Sequence, residues 1–318
     1  MVYDCFQFFN ELDILKIRLH VLSDVVDRFV ISEATETFSG RKKPMYYLEH
    51  QDEFAEFADR IIHVTVEDTP AGGTHERDNF QKNAVGRGLA GCTDEDIVIF
   101  SDLDEIPNPD KIKEILADFD PTKVYHFAQR LFYCYLNMEE TSGSLLSISG
   151  EFDGVKDRKW IGSKMVSYRL LRERGWQLGE LREPERKADG IRVADGGWHF
   201  GYMGGAGEKD VRRRVQDKVV SAAHQEYNSR WTLSQVADHI RDGEDIFGRD
   251  ARFVRREIDE GYPAWLREHW QEYPHLILQK ESESGRRLRH LRMWAAKALH
   301  EAEVCMKRTV KKLIGKDR

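Results

Sequence analysis

The hydrophobic pattern switches repeatedly between two periods over the first hundred residues. Val2 to Phe9 is a short apolar, aromatic-rich run that reads as a strand, and Glu11 to Leu22 places Leu12, Leu15, Leu19 and Leu22 on one helical stripe. Arg28 to Glu33 reads as a second strand ending in a polar cluster. Residues 45–59 follow as a helix with a Tyr46, Phe54 and Phe57 face, and Arg60 to Val66 alternates as a third strand. Turn residues between Thr69 and Gly73 predict a loop, and residues 76–90 a polar helix. Ile97-Val-Ile-Phe100 is then apolar without alternation, as in a strand covered on both faces. Strands and helices in this succession predict an α/β fold, a mostly parallel sheet with helices on both faces.

The pattern loosens after Pro109. A helix to about Asp118 precedes Lys123 to Leu136, a run holding Tyr125, Phe127, Phe132, Tyr133 and Tyr135. It reads as one long bent strand or as two, its aromatics either packing a core or forming a wall for stacking a sugar. Residues 137–159 predict a polar, glycine-containing loop carrying Glu151, Asp153 and Asp157, and Trp160 to Leu171 a strand pair. Ile191 to Phe200 reads as a strand that passes through Asp195 and paired glycines to Trp198 and His199. Glycines there let backbone approach a ligand closely. Residues 208–226 read as a helix, and Thr232 to Gln235 opens another with a capping box. A polar break at 281–285 separates a domain of residues 1–280 from a C-terminal basic amphipathic helix, residues 281–318. From residue 286 onward eleven Lys or Arg face three acids. Such a helix reads either as a contact for an anionic membrane surface or as a terminal helix with a solvated basic face.

Composition narrows the class. With 40% hydrophobic residues the 318-residue chain can bury a large core, and its net charge of −7 gives no general argument for nucleic-acid binding. Cys5, Cys92, Cys134 and Cys305 are widely spaced, so neither a zinc site nor a disulfide framework is expected. The opening Met-Val-Tyr-Asp carries no leader pattern, and no apolar run approaches the ~20 residues of a membrane span. A cytoplasmic protein, free or peripheral on the inner membrane face, is the expectation.

The densest chemistry lies in Asp96-Ile-Val-Ile-Phe-Ser-Asp-Leu-Asp-Glu-Ile-Pro107. Asp102, Asp104 and Glu105 cluster where an apolar strand ends, and open α/β sheets bind ligands beyond the carboxyl ends of their strands. Carboxylates there are hard oxygen ligands for Mg²⁺ or Mn²⁺, metals commonly shared with substrate phosphates. The glycines of 201–207 fit neither a dinucleotide nor a P-loop pattern.

Together with the segment Asn10 to Val30, the stretch Ile99 to Pro107 resembles glycosyltransferase family 17, a family of N-acetylglucosaminyltransferases. Gly197-Trp-His199, followed by a helix containing Lys218, resembles a third landmark of that family. The likeness covers roughly residues 3–250 and is weakest over 137–195. It implies a GT-A fold, a nucleotide-sugar donor (a UDP-sugar first), a divalent metal (Mn²⁺ or Mg²⁺), inversion at the anomeric carbon, and a glycan or glycolipid acceptor. On that reading Asp102, Asp104 and His199 hold the metal, with Asp102 also near the ribose. Glu33, Arg77, Asn79, Arg87 and Lys218 contact the donor, and Glu151, Asp153 or Asp195 deprotonates the acceptor hydroxyl.

Two other readings use the same residues. In a haloacid-dehalogenase-type phosphohydrolase Asp102 would be the nucleophile, but that motif sits near the N-terminus with Thr or Val where this chain has Ile106. In a non-catalytic membrane adaptor the basic tail would carry the function.

Overall fold

The computed structural model describes residues 1–145, 158–183, 190–221 and 230–314. The chain forms two compact units, Met1–Leu278 and Gln279–Arg318. The first unit opens with β1 (Val2–Phe8), α1 (Leu12–Leu22), β2 (Arg28–Ala34), α2 (Tyr46–Glu49), β3 (Ile61–Val66), α3 (Thr74–Ala84), β4 (Ile97–Asp102) and β5 (Glu105–Pro107). It continues with α4 (Pro109–Ala117), β6 (Val124–Tyr133), β7 (Met138–Glu140), β8 (Trp160–Ser167), α5 (Tyr168–Arg174) and β9 (Gly190–Gly201). α6 (Val211–Ser221), α7 (Arg230–Arg241), β10 (Phe253–Arg255) and α8 (Ala264–His269) complete it.

β1 pairs in parallel with β2 on one side and with β4 on the other, and β3 extends the sheet beyond β2. The order β3-β2-β1-β4 therefore reverses direction between β1 and β4, where a doubly wound sheet opens a crevice at its carboxyl edge. Beyond β4 the sheet becomes largely antiparallel: β8 joins β4 to β6, β7 pairs β6, and β10 pairs β7. Connection length accounts for the β6–β7 pair. Parallel neighbours need a crossover of a dozen or more residues, whereas β6 returns to β7 within a few. β9 runs parallel to β6 and antiparallel to β5, with Glu105 opposite His199 and Pro107 opposite Gly197.

Side chains alternate across β1, so both faces are covered. Val2, Phe6 and Phe8 share a core with Ile14, Leu15 and Leu19 of α1, Ile112 of α4 and Leu266 of α8. Tyr3 and Cys5 face the other way, against Val85 and Leu89 after α3 and Leu170 and Leu171 of α5. A third cluster packs Val211, Val215 and Val219 of α6 with Val236 and Ile240 of α7 against Leu131, Met138 and Phe253.

Local departures from the sequence pattern have local causes. The helix expected over 45–59 is one turn of α2 followed by a 3-10 coil, Gln51–Arg60. That coil kinks at Phe54, and both Phe54 and Phe57 are buried. The strand pair expected over 160–171 is one strand and a helix, because the Ser167 hydroxyl accepts a hydrogen bond from the Leu170 N–H and caps α5. Lys123 to Leu136 contains a single strand, β6, with an irregularity between His126 and Ala128.

Two of the fully buried charges are Arg18 of α1 and Asp4 of β1. Arg18 is fully buried and donates from Nε and Nη2 to the Asp4 carboxylate at 2.8 and 2.6 Å. Nη2 also reaches Ser101 Oγ, and Nη1 donates to the carbonyls of Asp102, Leu103 and Glu105 at 3.1, 2.9 and 2.9 Å. One guanidinium thus ties α1 and β1 to the turn between β4 and β5.

The second unit contains α9 (Glu283–Ile314), 32 residues long. Among the described residues no helix is long and apolar enough to cross a membrane.

Removing one partner of a buried ion pair strands the other, at a cost of about 3–5 kcal/mol. Arg18→Met should therefore destabilise the protein by that amount in urea unfolding. A loss below about 1 kcal/mol would mean that the Asp4 carboxylate finds another partner or neutralises cheaply.

Candidate active site

A cavity of about 380 Å³ opens at the carboxyl ends of β1, β2 and β4. Register brings its walls together: Gln7 is opposite Asp102 in the β1–β4 pair, and Phe8 opposite Glu33 in the β1–β2 pair. One part of the lining is Phe8, Phe9, Phe38 and Lys43, near the ends of β1 and β2. Asp102, Leu103, Asp104, His199 and Lys218 also line it, as do Tyr133, Trp160 and Tyr202.

The three acids after β4 have separate surroundings. Glu105 is fully buried, and its carboxylate accepts four hydrogen bonds, from Trp160 Nε1, both terminal nitrogens of Arg182 and the Asp102 N–H, at 2.7–3.0 Å. Burial alone would raise its pKa, but the Arg182 guanidinium outweighs that and holds the group well below the usual carboxylate range. Asp102 accepts from Gln7 Nε2 at 3.5 Å and lies 3.2 Å from Arg182. Burial, joined by the neighbouring Glu105 charge, leaves its pKa raised despite Arg182.

Asp104 projects to the other side of the turn. Its Oδ1 is 3.5 Å from His199 Nε2 and its Oδ2 3.6 Å from Lys218 Nζ. Burial opposes ionisation here too, yet Lys218 and His199 bring its pKa down to about 2. Lys218 is fixed from behind by Glu11, 3.0 Å away, and these acids raise its pKa against the effect of burial. The His199 ring rests on Trp160 with centroids 4.6 Å apart, and its Nδ1 is buried with no hydrogen-bond partner among the described residues.

His199 arrives by backbone pairing. β5 follows the acid turn immediately and pairs with β9, and Phe200 N–H donates to the Asp104 carbonyl at 2.7 Å. Gly197 allows this approach: it has φ +125°, and an added Cβ would lie 2.2 Å from the Ile106 carbonyl oxygen.

The structure thus brings Asp102, Asp104, His199 and Lys218 into one cavity, and Glu33, Arg77, Asn79, Arg87 and Asp195 do not line it. Glu33 is fully buried, and its carboxylate accepts from the Tyr47 N–H, so it anchors α2 and does not face the cavity. On α3 the cavity face carries His75, Asp78, Gln81 and Lys82. Arg77 and Asn79 flank Asp78 and lie off that face; Arg77 donates to the Gly72 carbonyl, and Asn79 is exposed. Arg87 makes a two-pronged pair with Asp68. Asp195 is exposed, with φ +50°, and its carbonyl accepts from Asn108 Nδ2, so it too lies away from the cavity. Glu151 and Asp153 lie outside the described residues.

Sequence reasoning missed Arg18, Arg182 and Trp160. Arg18 left a signal, a cation between Ile17 and Leu19 in a helix buried almost all round, with Asp4 similarly isolated in β1. Arg182 and Trp160 left none, because their partner Glu105 is more than fifty residues distant in the chain.

The chain is 25% identical over 290 residues to the β-1,4-mannosyl-glycoprotein 4-β-N-acetylglucosaminyltransferases of Rattus norvegicus and of Homo sapiens. Each alignment covers 83% of this chain and 48% of the relative, so the chain spans about half the length of the curated relatives it matches. Residues 1–143, which build the parallel strands, the acid turn and most of the Asp102 side of the cavity, match glycosyltransferase family 17.

Proposed function

We propose that the chain is an inverting, metal-dependent glycosyltransferase that moves N-acetylglucosamine from a UDP-sugar to a hydroxyl of a glycan or glycolipid. The observation that carries this reading is the convergence of Asp104, His199 and Lys218 on a cavity at the β1–β4 switch point.

The residues suit a divalent cation shared with a substrate. Asp104 Oδ1 and His199 Nε2 offer an oxygen and a nitrogen donor 3.5 Å apart, a pair compatible with Mn²⁺. Among the described residues no group of three or more His, Cys, Asp or Glu forms a closed cage. Two protein donors fit a metal whose remaining ligands are donor phosphates and water. When bound, such a metal supplies Lewis-acid neutralisation of the diphosphate. Asp104 and His199 would hold it, while Asp102, paired with Arg182 and next to Gln7, would orient the donor from alongside.

The chain's own groups divide the remaining work. Lys218 presents a fixed positive charge to the departing diphosphate. Phe8, Phe9 and Phe38 offer apolar faces for the nucleoside, and Tyr133, Trp160 and Tyr202 for a pyranose. Inversion by direct displacement needs one base on the acceptor hydroxyl, and Glu151 and Asp153 are the candidates retained for it. An aspartyl-phosphatase reading is less well supported, because Asp102, its nucleophile, is paired with Arg182.

Asp104→Asn should reduce Mn²⁺-dependent UDP-N-acetylglucosamine turnover by about 100-fold or more while leaving the thermal unfolding midpoint near that of the parent. Unchanged turnover would sink the assignment. Chelation with EDTA should abolish turnover and added Mn²⁺ restore it. His199→Ala should shift the Mn²⁺ dependence to concentrations roughly 10–100-fold higher. Full activity in chelator would remove the metal from the scheme.

A further inference from the structure

We infer that α9 is an interfacial helix that seats the protein on an anionic lipid surface. Among the described residues nine large hydrophobic side chains are exposed, and five of them lie on α9: Leu288, Leu291, Trp294, Leu299 and Met306. Trp294 and Leu299 are 72% and 73% exposed. At 100° per residue, Leu288, Leu291, Ala295, Leu299, Ala302 and Met306 fall within an arc of about 80°, with Trp294 about 60° beyond its edge. The helix therefore carries one continuous apolar face rather than scattered apolar residues.

Charge selects the occupant. Residues 286–318 hold eleven Lys or Arg against three acids, a net +8. The whole chain carries −7, so residues 1–285 carry −15. An anionic surface attracts the helix and repels the acidic unit, which favours attachment through α9 alone. An apolar face flanked by an aromatic residue, with abundant Lys and Arg, is the composition of helices that lie in the plane of a bilayer interface.

A second copy of the helix fits less well. A coiled-coil seam through Leu288 and Leu291 continues through Ala295, Ala298, Ala302 and Cys305. Its side chains shrink after the first turn, where a stable seam needs large apolar knobs throughout. A bilayer interface has no register to satisfy, and it accepts Leu299 and Met306 outside the seam equally well.

The test uses the full chain and vesicle flotation, with phosphatidylcholine alone or mixed with phosphatidylserine. Binding is expected to the anionic vesicles at low salt and to fall about 10-fold or more near 0.5 M salt, where the Debye length is only a few ångströms. Leu291→Glu/Leu299→Glu should lower partitioning at least 10-fold while leaving donor turnover in solution unchanged. Bromine-labelled acyl chains should quench tryptophan fluorescence in the parent, and Trp294→Phe should remove that quenching while keeping the binding. Failure to bind anionic vesicles at low salt would overturn the inference. So would equal binding by the double Glu variant, which would mean charge contact without insertion, or dimerisation in solution that the double variant abolishes.

Discussion

The site depends on one buried guanidinium. Arg18 neutralises Asp4 inside the sheet and satisfies three carbonyls of the turn that carries Asp102 and Asp104. A turn between short strands has few backbone partners of its own, and buried unpaired carbonyls are costly. Arg18 supplies those partners from the middle of α1, so the placement of the acids is coupled to the packing of helix on sheet. Buried ion pairs seldom add net stability over a well-packed apolar pair. This one also fixes a turn conformation, which an apolar pair of equal volume could not do.

Around that turn the charges are paired in a chain. Arg182 spans Glu105 and Asp102, while Lys218 spans Glu11 and Asp104 with His199 on the other side. Glu105 is the structural member, with both oxygens consumed by donors. Asp104 is the one held ionised at the wall of the cavity, its pKa near 2. Two acids one residue apart thus acquire different tasks because their side chains leave the turn toward different partners.

What could be read from the sequence followed the range of the interactions. The βαβ order, the buried β4 and the acid cluster at its end all come from local periodicity, and the structure carries them. Positions that depend on pairing across the chain did not show. Glu33 ends β2 as the pattern predicts, yet its carboxylate turns to α2, because a backbone N–H at the start of a helix is a strong partner for a buried acid. On α3 the periodicity was legible and its phase was not: Asp78 and Lys82 face the cavity where Arg77 and Asn79 were expected. A polar helix offers no apolar stripe from which to set that phase.

The architecture divides the chemistry close to the boundary of the sequence likeness, although β6, β7 and the cavity residue Tyr133 belong to the antiparallel part and still lie within residues 1–143. The segment matching glycosyltransferase family 17 supplies Gln7, Phe8, Phe9, Asp78, Lys82, Asp102 and Asp104. The largely antiparallel remainder supplies Trp160, His199, Tyr202 and Lys218. A metal held between Asp104 and His199 would bridge the two halves. Docking of β9 on β5, permitted by Gly197, would then be a condition for catalysis as well as for folding. A nucleotide bound at the β1–β4 crevice would meet residues of the first half, whereas the sugar and its acceptor would meet the second. On the proposed reading, changes in acceptor choice would fall in the antiparallel half, away from the turn that Arg18 holds in place.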